Sequence, residues 1–406
     1  MTPITHTLAN GLRVVHIPST SPVAWCGLAV DAGSRDDMGP AHGMAHMVEH
    51  NIFKGTAHRR SWHILNRMES VGGELNAYTT REHTMLYSVF PQPHLERALE
   101  LIADMVMWST FPHAEFEREM DVVLEEIDSY LDTPADAAYD ALEDLMFDGS
   151  ALGHNVLGTE QSVELLTPQQ CSDFLKSHYV PQAMVLFVLG DYDTGEVMRL
   201  AERHYGAMHH SLERFQPRVT PAILEPQHRT HDVDLHQAHL VVGARVPGIY
   251  DQQRYAFMLL NNMLGGPGMN SMLNVELRER RGYVYTVESN LSLFTDSGLL
   301  EIYLGCDPRD LRASLDVIDH ITALLASDPL PERRLEAAKR QYCGQLVVAA
   351  DSSEYVAMSV ARSLLYHNTV PSLERTAQHI MEVTPAQLQQ AAAFITTPHC
   401  STMVLR

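Results

Sequence analysis

The chain has 406 residues, 45% of them apolar and 20% charged, and a formal net charge of −22. That length allows two or three packed domains, while no apolar run approaches the ~20 residues a membrane helix needs. The acidic balance lacks the Lys/Arg stripes that nucleic acid demands, so neither nucleic acid nor membrane is expected as a partner; a cationic ligand is admitted. Five scattered cysteines (Cys26, Cys171, Cys306, Cys343, Cys400) form no CxxC pair and suit reduced thiols. The N-terminal MTPITHTLANGLRVVHIP has no basic stretch followed by a long apolar one, and a cytoplasmic location is the default.

That first segment reads as strand, turn at Asn10-Gly11, strand. Alternating apolar patterns over 12–17, 23–30, 84–89 and 184–189 predict further strands. Helical periodicity covers 42–54, 61–71, 94–108, 115–131 and 168–178. A polar, Pro-containing stretch, MHHSLERFQPRVTPAILEPQ, then divides the chain into nearly equal halves. Beyond it come a strand over 238–246, a helix over 250–264, the Gly-rich LGGPGM and a helix over 271–281. Strands over 283–293 and 298–307 follow, then helices over 311–326, 331–349, 353–365 and 385–394. The second half repeats the order of the first. The expected fold is α+β: two structurally related α/β-roll domains, each a mainly antiparallel sheet packed with helices. Their expected bounds are 1–210 and 228–406, joined by a linker over 211–227.

The chemistry gathers in AHGMAHMVEHNIFKGT, residues 41–56. On a helix, His46 and His50 lie four apart on one face and can chelate a single ion. Glu49 sits between them in sequence but is rotated off that face, where a general base belongs. The order HxxEH is the inverse of HExxH, and in a chain with 23 histidines the motif alone leaves a coincidental match open. Catalytic zinc takes three protein ligands and keeps a position for water. In the helix EFEREMDVVLEEIDSYL the apolar residues Phe116, Met120, Val123, Leu124, Ile127 and Leu131 are expected to turn one side to the core. Its Glu119 and Glu126 are two turns apart on nearly the same stripe, and Glu125 is rotated about 100° away. Glu126 is therefore the better third ligand, and Glu119 a carboxylate that orients a ligand or shares a proton. A Glu-rich helix is otherwise a solvated face. His42, His58 and His83 read as hydrogen-bonded or surface residues.

Taken in order, these segments resemble the pitrilysin/insulinase-type inverted zincins, in particular the two-domain branch that includes mitochondrial processing peptidase and bacterial homodimeric relatives. The matching segments are GMAHMVEHNIFKGT, GGELNAYTTREHTMLY, EREMDVVLEEI, YLDTPADAAYD, HYVPQAMVLFVLGD, LRERRGYVYTV and DSGLLEIYLGCDP. The resemblance implies one zinc ion per chain bound by His46, His50 and Glu126, with Glu49 as general base and Glu119 supporting catalysis. It also implies that GGELNAYT is an edge strand where Asn76 and Ala77 meet the substrate main chain. Arg278 and Tyr285 would grip the substrate near the scissile carbonyl; composition alone does not separate them from Arg280, Arg281 and Tyr283. Asn51, where the family often has an apolar residue, and the Pro in LGGPGMNSM depart from the pattern without touching a ligand.

The expectation is a zinc endopeptidase acting on peptides or unfolded segments inside a dimeric clamshell. The likeness implies a homodimer, because the family's chamber takes four such domains and this chain supplies two. A non-catalytic or partner-dependent subunit of a processing-peptidase-like complex is the alternative. A zinc-dependent protein that retains peptides without hydrolysing them is another.

Overall fold

The structure is a computed structural model that describes residues 2–37, 39–208 and 218–406. Part of the expected linker, 211–217, lies outside the described residues, and 218–227 carries no regular secondary structure. The chain opens with β1 (Ile4–Thr7) and β2 (Arg13–Pro18), an antiparallel pair about Asn10-Gly11 in which Gly11 takes φ +92°, a conformation glycine adopts without strain. Next come β3 (Val23–Val30), α1 (Met44–Asn51), α2 (Ser61–Glu69), β4 (Glu74–Thr79) and β5 (Thr84–Pro91). The helices α3 (Leu95–Trp108), α4 (His113–Leu131), α5 (Pro134–Met146), α6 (Glu160–Val163) and α7 (Pro168–His178) follow, then β6 (Met184–Gly190) and α8 (Thr194–Tyr205).

The second half begins with β7 (His228–His231), β8 (Ala238–Val246) and α9 (Arg254–Gly265). A π-helical turn, Asn274–Glu279, stands where sequence periodicity predicts a helix; Arg280 N bonds the carbonyl of Val275, five residues back. Then come β9 (Val284–Leu293), β10 (Gly298–Cys306), α10 (Leu311–Ser327), α11 (Glu332–Ala349), α12 (Ser353–His367), α13 (Leu373–Met381), α14 (Pro385–Ala393) and β11 (Cys400–Leu405). The helices α5, α8 and α13 and the short strands β7 and β11 have no counterpart in the sequence reading. No helix among the described residues is long and apolar enough to cross a membrane.

Two sheets result, one in each of two compact units. The first runs β1-β2-β6-β3-β5-β4, and the second β7-β11-β8-β10-β9. Leaving out β1, the two have the same connectivity: the opening strand pairs in parallel with the last, and every other pair is antiparallel. The repeated order of elements is thus a repeated sheet. β4 and β9 occupy the same edge in the two copies.

Each sheet is covered on both faces, which is why β6 is buried at every position. In the first unit Val185, Phe187 and Leu189, alternate residues on one face of β6, pack with Val15, Ile17, Ala29 and Met85 against Ala357, Ala361, Leu364 and Leu365 of α12. In the second, Ala138, Leu142 and Met146 of α5 pack on Val241, Leu299, Tyr303, Met403 and Leu405. Two segments therefore depart from a single cut between 1–210 and 228–406. Residues Ser129–Gly153, with α5, belong to the second unit, and Ala349–Ser372, with α12, to the first. A helix stays with the sheet that buries its apolar stripe, whatever its place in the chain.

Candidate metal centre

The helix carrying HxxEH begins two residues later than its periodicity predicts, for a backbone reason. Gly43 takes φ +88°, and a Cβ there would lie 2.5 Å from the carbonyl oxygen of Leu157. Having no side chain, Gly43 cannot cap the helix itself. The carboxylate of Asp37 does so from the preceding loop, accepting from Gly43 N–H at 2.8 Å and Ala45 N–H at 2.9 Å. Met44, Ala45, Met47 and Val48 are then buried, and α1 packs on α7 and β4. That burial fixes the rotation of the helix and with it the direction of His46 and His50.

The two imidazoles meet with ring centroids 4.4 Å apart and planes at 65°. Their Nε2 atoms are 3.2 Å apart. Glu126 Oε2, from α4, lies 3.4 Å from His50 Nε2 and 3.8 Å from His46 Nε2. Donors held ~2.0–2.2 Å from a tetrahedral zinc ion stand roughly 3.3–3.6 Å from one another. The 3.2 and 3.4 Å separations match that edge and the 3.8 Å one is slightly longer; two imidazoles with one carboxylate suit zinc chemically. The Glu126 side chain is 45% exposed, so the group is open to solvent on the side of Glu126.

Glu119 sits two turns before Glu126 on α4, and its Oε1 accepts from His50 Nδ1 at 3.0 Å. Its Oε2 lies 2.5 Å from Lys54 Nζ. With Nδ1 donating to Glu119, the Nε2 of His50 is the nitrogen turned to the centre. Burial opposes charge on His50, but its bonds to Glu119 and Glu126 outweigh it and raise its pKa to about 9. Burial and then the charge of His50 lower His46. Burial works against ionised Glu119 as well; His50 and Lys54 prevail and hold it below the ordinary carboxylate range. The hydrogen bond to His50 keeps Glu126 low too. A proton on His50 and a metal ion compete for the same lone pair.

Glu49 is raised, above all by burial, in part offset by hydrogen bonds from the side chain and backbone of Thr79. A carboxylate of raised basicity beside an open metal position is suited to accept a proton from water. Thr79 ends β4 and escaped the sequence reading, because nothing local links it to a residue 30 positions earlier. Asn76 and Ala77 lie on β4, facing Tyr87 and Leu86 of β5 on one side. Among the described residues no strand pairs with the other side of β4, leaving main-chain groups for an added strand.

Arg278 and Tyr285 stand in the second unit, Arg278 exposed on the π-helical turn and Tyr285 62% exposed on β9. Their neighbours are committed elsewhere: Arg280 and Arg281 both pair with Glu276, and Tyr283 packs on the second unit's core. No ion pair engages Arg278 among the described residues. The bystander histidines are satisfied or set apart. His58 Nδ1 bonds Asp104 at 2.5 Å, and His83 Nδ1 bonds Thr80 and Tyr366 at 2.9 Å each. His42 lies outside the His46–His50–Glu126 group, its ring against that of His154.

Comparison with known proteins identifies the family. Residues 13–160 match the family described as insulinase (peptidase family M16), and residues 165–342 match the peptidase M16 inactive domain. An uncharacterized zinc protease of Mycobacterium leprae is 35% identical over 391 residues, which is 95% of this chain and 87% of that protein. The β subunit of the mitochondrial-processing peptidase of Bos taurus is 29% identical over 378 residues, covering 90% of this chain and 77% of the subunit. In structure, a protease from Helicobacter pylori superposes with a TM-score of 0.92 over 100% of this chain and 99% of the other; at 23% identity that likeness speaks for the fold.

Proposed function

The chain belongs to the insulinase family of peptidases, family M16, and on that premise we propose that it is a zinc-dependent endopeptidase, an inverted zincin that hydrolyses peptides or unfolded polypeptide segments. The observation that carries the reading is the convergence of His46, His50 and Glu126 at distances that suit one ion, with the half-buried carboxylate of Glu49 on the helix of the two histidines. Zinc is the ion suggested by the donor set and by relatives named zinc proteases. When bound, it supplies the Lewis acidity that polarises the scissile carbonyl and makes water a better acid.

The chain's own residues do the rest. Glu49 takes a proton from the attacking water and returns it to the leaving amine, its basicity raised by burial and tuned by Thr79. Glu119 keeps His50 in the tautomer that leaves Nε2 free, and Lys54 keeps Glu119 ionised. The open edge of β4 accepts the substrate as an added strand beside Asn76 and Ala77, which brings an extended peptide past Glu49. Arg278 and Tyr285 would donate to the oxyanion of the tetrahedral intermediate. In this reading they come from the partner of a homodimer, the second unit of one chain completing the centre of the other. The net charge of −22 favours basic peptides, and five free thiols suit a cytoplasmic setting.

A non-catalytic or partner-dependent subunit is the second reading, favoured by a relative named as one subunit of a processing peptidase and by the matched domain described as inactive. Purified protein incubated with a quenched basic peptide, with and without a chelator, separates the two. Cleavage that the chelator abolishes and zinc restores supports the endopeptidase. Bound zinc with no cleavage sinks the endopeptidase and leaves the non-catalytic readings, a subunit or a peptide-retaining protein.

A further inference from the structure

We propose a second metal site, built from Asp37, His42 and His154 at the amino end of α1, taking a divalent ion of the zinc class as a structural rather than a catalytic ligand. One ligand-type atom from each of these residues lies within 4.8 Å of the other two, in a group separate from His46, His50 and Glu126. The proposal goes beyond the peptidase reading and does not depend on it.

Three features set this group apart from a chance gathering of polar side chains. The Asp37 carboxylate has no exposed surface, so its negative charge is enclosed, and burial raises its pKa despite the hydrogen bonds it accepts. Its two bonds to Gly43 and Ala45 leave lone-pair capacity on each oxygen. His42 stacks against His154 with ring centroids 4.0 Å apart, and its Nδ1 is buried without a hydrogen-bond partner among the described residues. A buried ring nitrogen left unpaired is costly unless something absent from the protein chain completes it. Finally, His154 Nε2 lies 3.5 Å from Asp37 Oδ2 and 2.9 Å from the carbonyl oxygen of Ser34, so a ring nitrogen stands beside the enclosed carboxylate.

The chemistry favours an ion over the metal-free state. One carboxylate and two imidazoles suit zinc, nickel or cobalt far better than magnesium or calcium, which want oxygen. The amino end of a helix repels a cation, and the Asp37 charge offsets that repulsion. The consequence is mechanical: a bound ion would tie the loop before α1, through Asp37, to the segment at His154, and so brace the helix that presents His46 and His50.

The test is a count of zinc on the full chain by mass spectrometry after dialysis against trace zinc, together with the visible spectrum of the cobalt-substituted protein. The wild type is expected to hold about two equivalents, and His46→Ala/His50→Ala to retain about one. His42→Asn/His154→Gln is also expected to retain about one, and the cobalt spectra of the two variants should differ. Circular dichroism of each variant confirms that loss of metal is not loss of fold. One equivalent in the wild type, absent from the His46/His50 variant and unchanged in the His42/His154 variant, overturns this proposal and leaves the peptidase reading standing. One equivalent lost only in the His42/His154 variant supports the second site and sinks the first. No bound zinc in any form overturns both.

Discussion

Glu119 Oε1 lies 3.0 Å from Nδ1 of His50, and its other oxygen lies 2.5 Å from the ammonium of Lys54. One carboxylate thus orients a histidine of the proposed zinc site and is itself kept ionised. Glu119→Gln keeps the shape and loses the charge. Zinc affinity should fall about 10–100-fold, as for other partners behind a metal ligand. Competition with a chromophoric chelator measures it, and unchanged affinity would mean that Glu119 does not orient His50.

Zinc binding should release a proton. Raised to about 9, His50 is protonated in the metal-free protein at neutral pH, and a ligand must be deprotonated. Titration calorimetry at about pH 7.5, in buffers of different ionisation enthalpy, should report release of roughly one proton per zinc. The release should vanish above the folded pKa. Linkage sets the sign for stability as well: a histidine raised above its unfolded value of ~6.5 contributes fully below that value. That contribution is lost as pH rises through about 9, so the metal-free protein loses it over this interval. A pH-independent release near zero would show that His50 is already neutral.

Gly43→Ala should damage the centre without touching a ligand. The new Cβ would meet the Leu157 carbonyl at 2.5 Å, at a residue whose φ is +88°. A loss of about 1–3 kcal/mol is expected in chemical denaturation, with weaker zinc binding because α1 shifts. If stability and affinity both match wild type, Gly43 does not set the position of the helix.

Complementation tests the proposed dimer. Glu49→Gln should keep its zinc and lose ~10²–10⁴-fold in activity, and Arg278→Ala/Tyr285→Phe should lose activity by a different route. Mixed and allowed to exchange, the two inactive chains should regain cleavage, since each heterodimer holds one intact centre. A mixture that exchanges subunits and stays inactive places all these residues' work within a single chain.

Much of the centre was legible before any coordinates. The i, i+4 spacing of His46 and His50 and the two-turn spacing of Glu119 and Glu126 follow from helix geometry alone. Each pair shares an element, so local periodicity fixes its relative direction. The hairpin at Asn10-Gly11 and the strand β6 were equally plain, being written in adjacent residues.

What the sequence could not decide depends on which element packs against which. Composition offered Arg278, Arg280 and Arg281 as equals, and only the contacts with Glu276 distinguish them. Thr79 reaches Glu49 because β4 runs beside α1. Asp37 caps α1 because a left-handed Gly43 turns the chain back beneath it. The exchange of α5 and α12 between the units is of the same kind, since an amphipathic helix announces that it will be buried but not on which sheet. The sequence by itself determined the chemistry within each helix; the tertiary structure decided which helices meet, because burial of apolar faces is non-directional and its outcome depends on the whole chain.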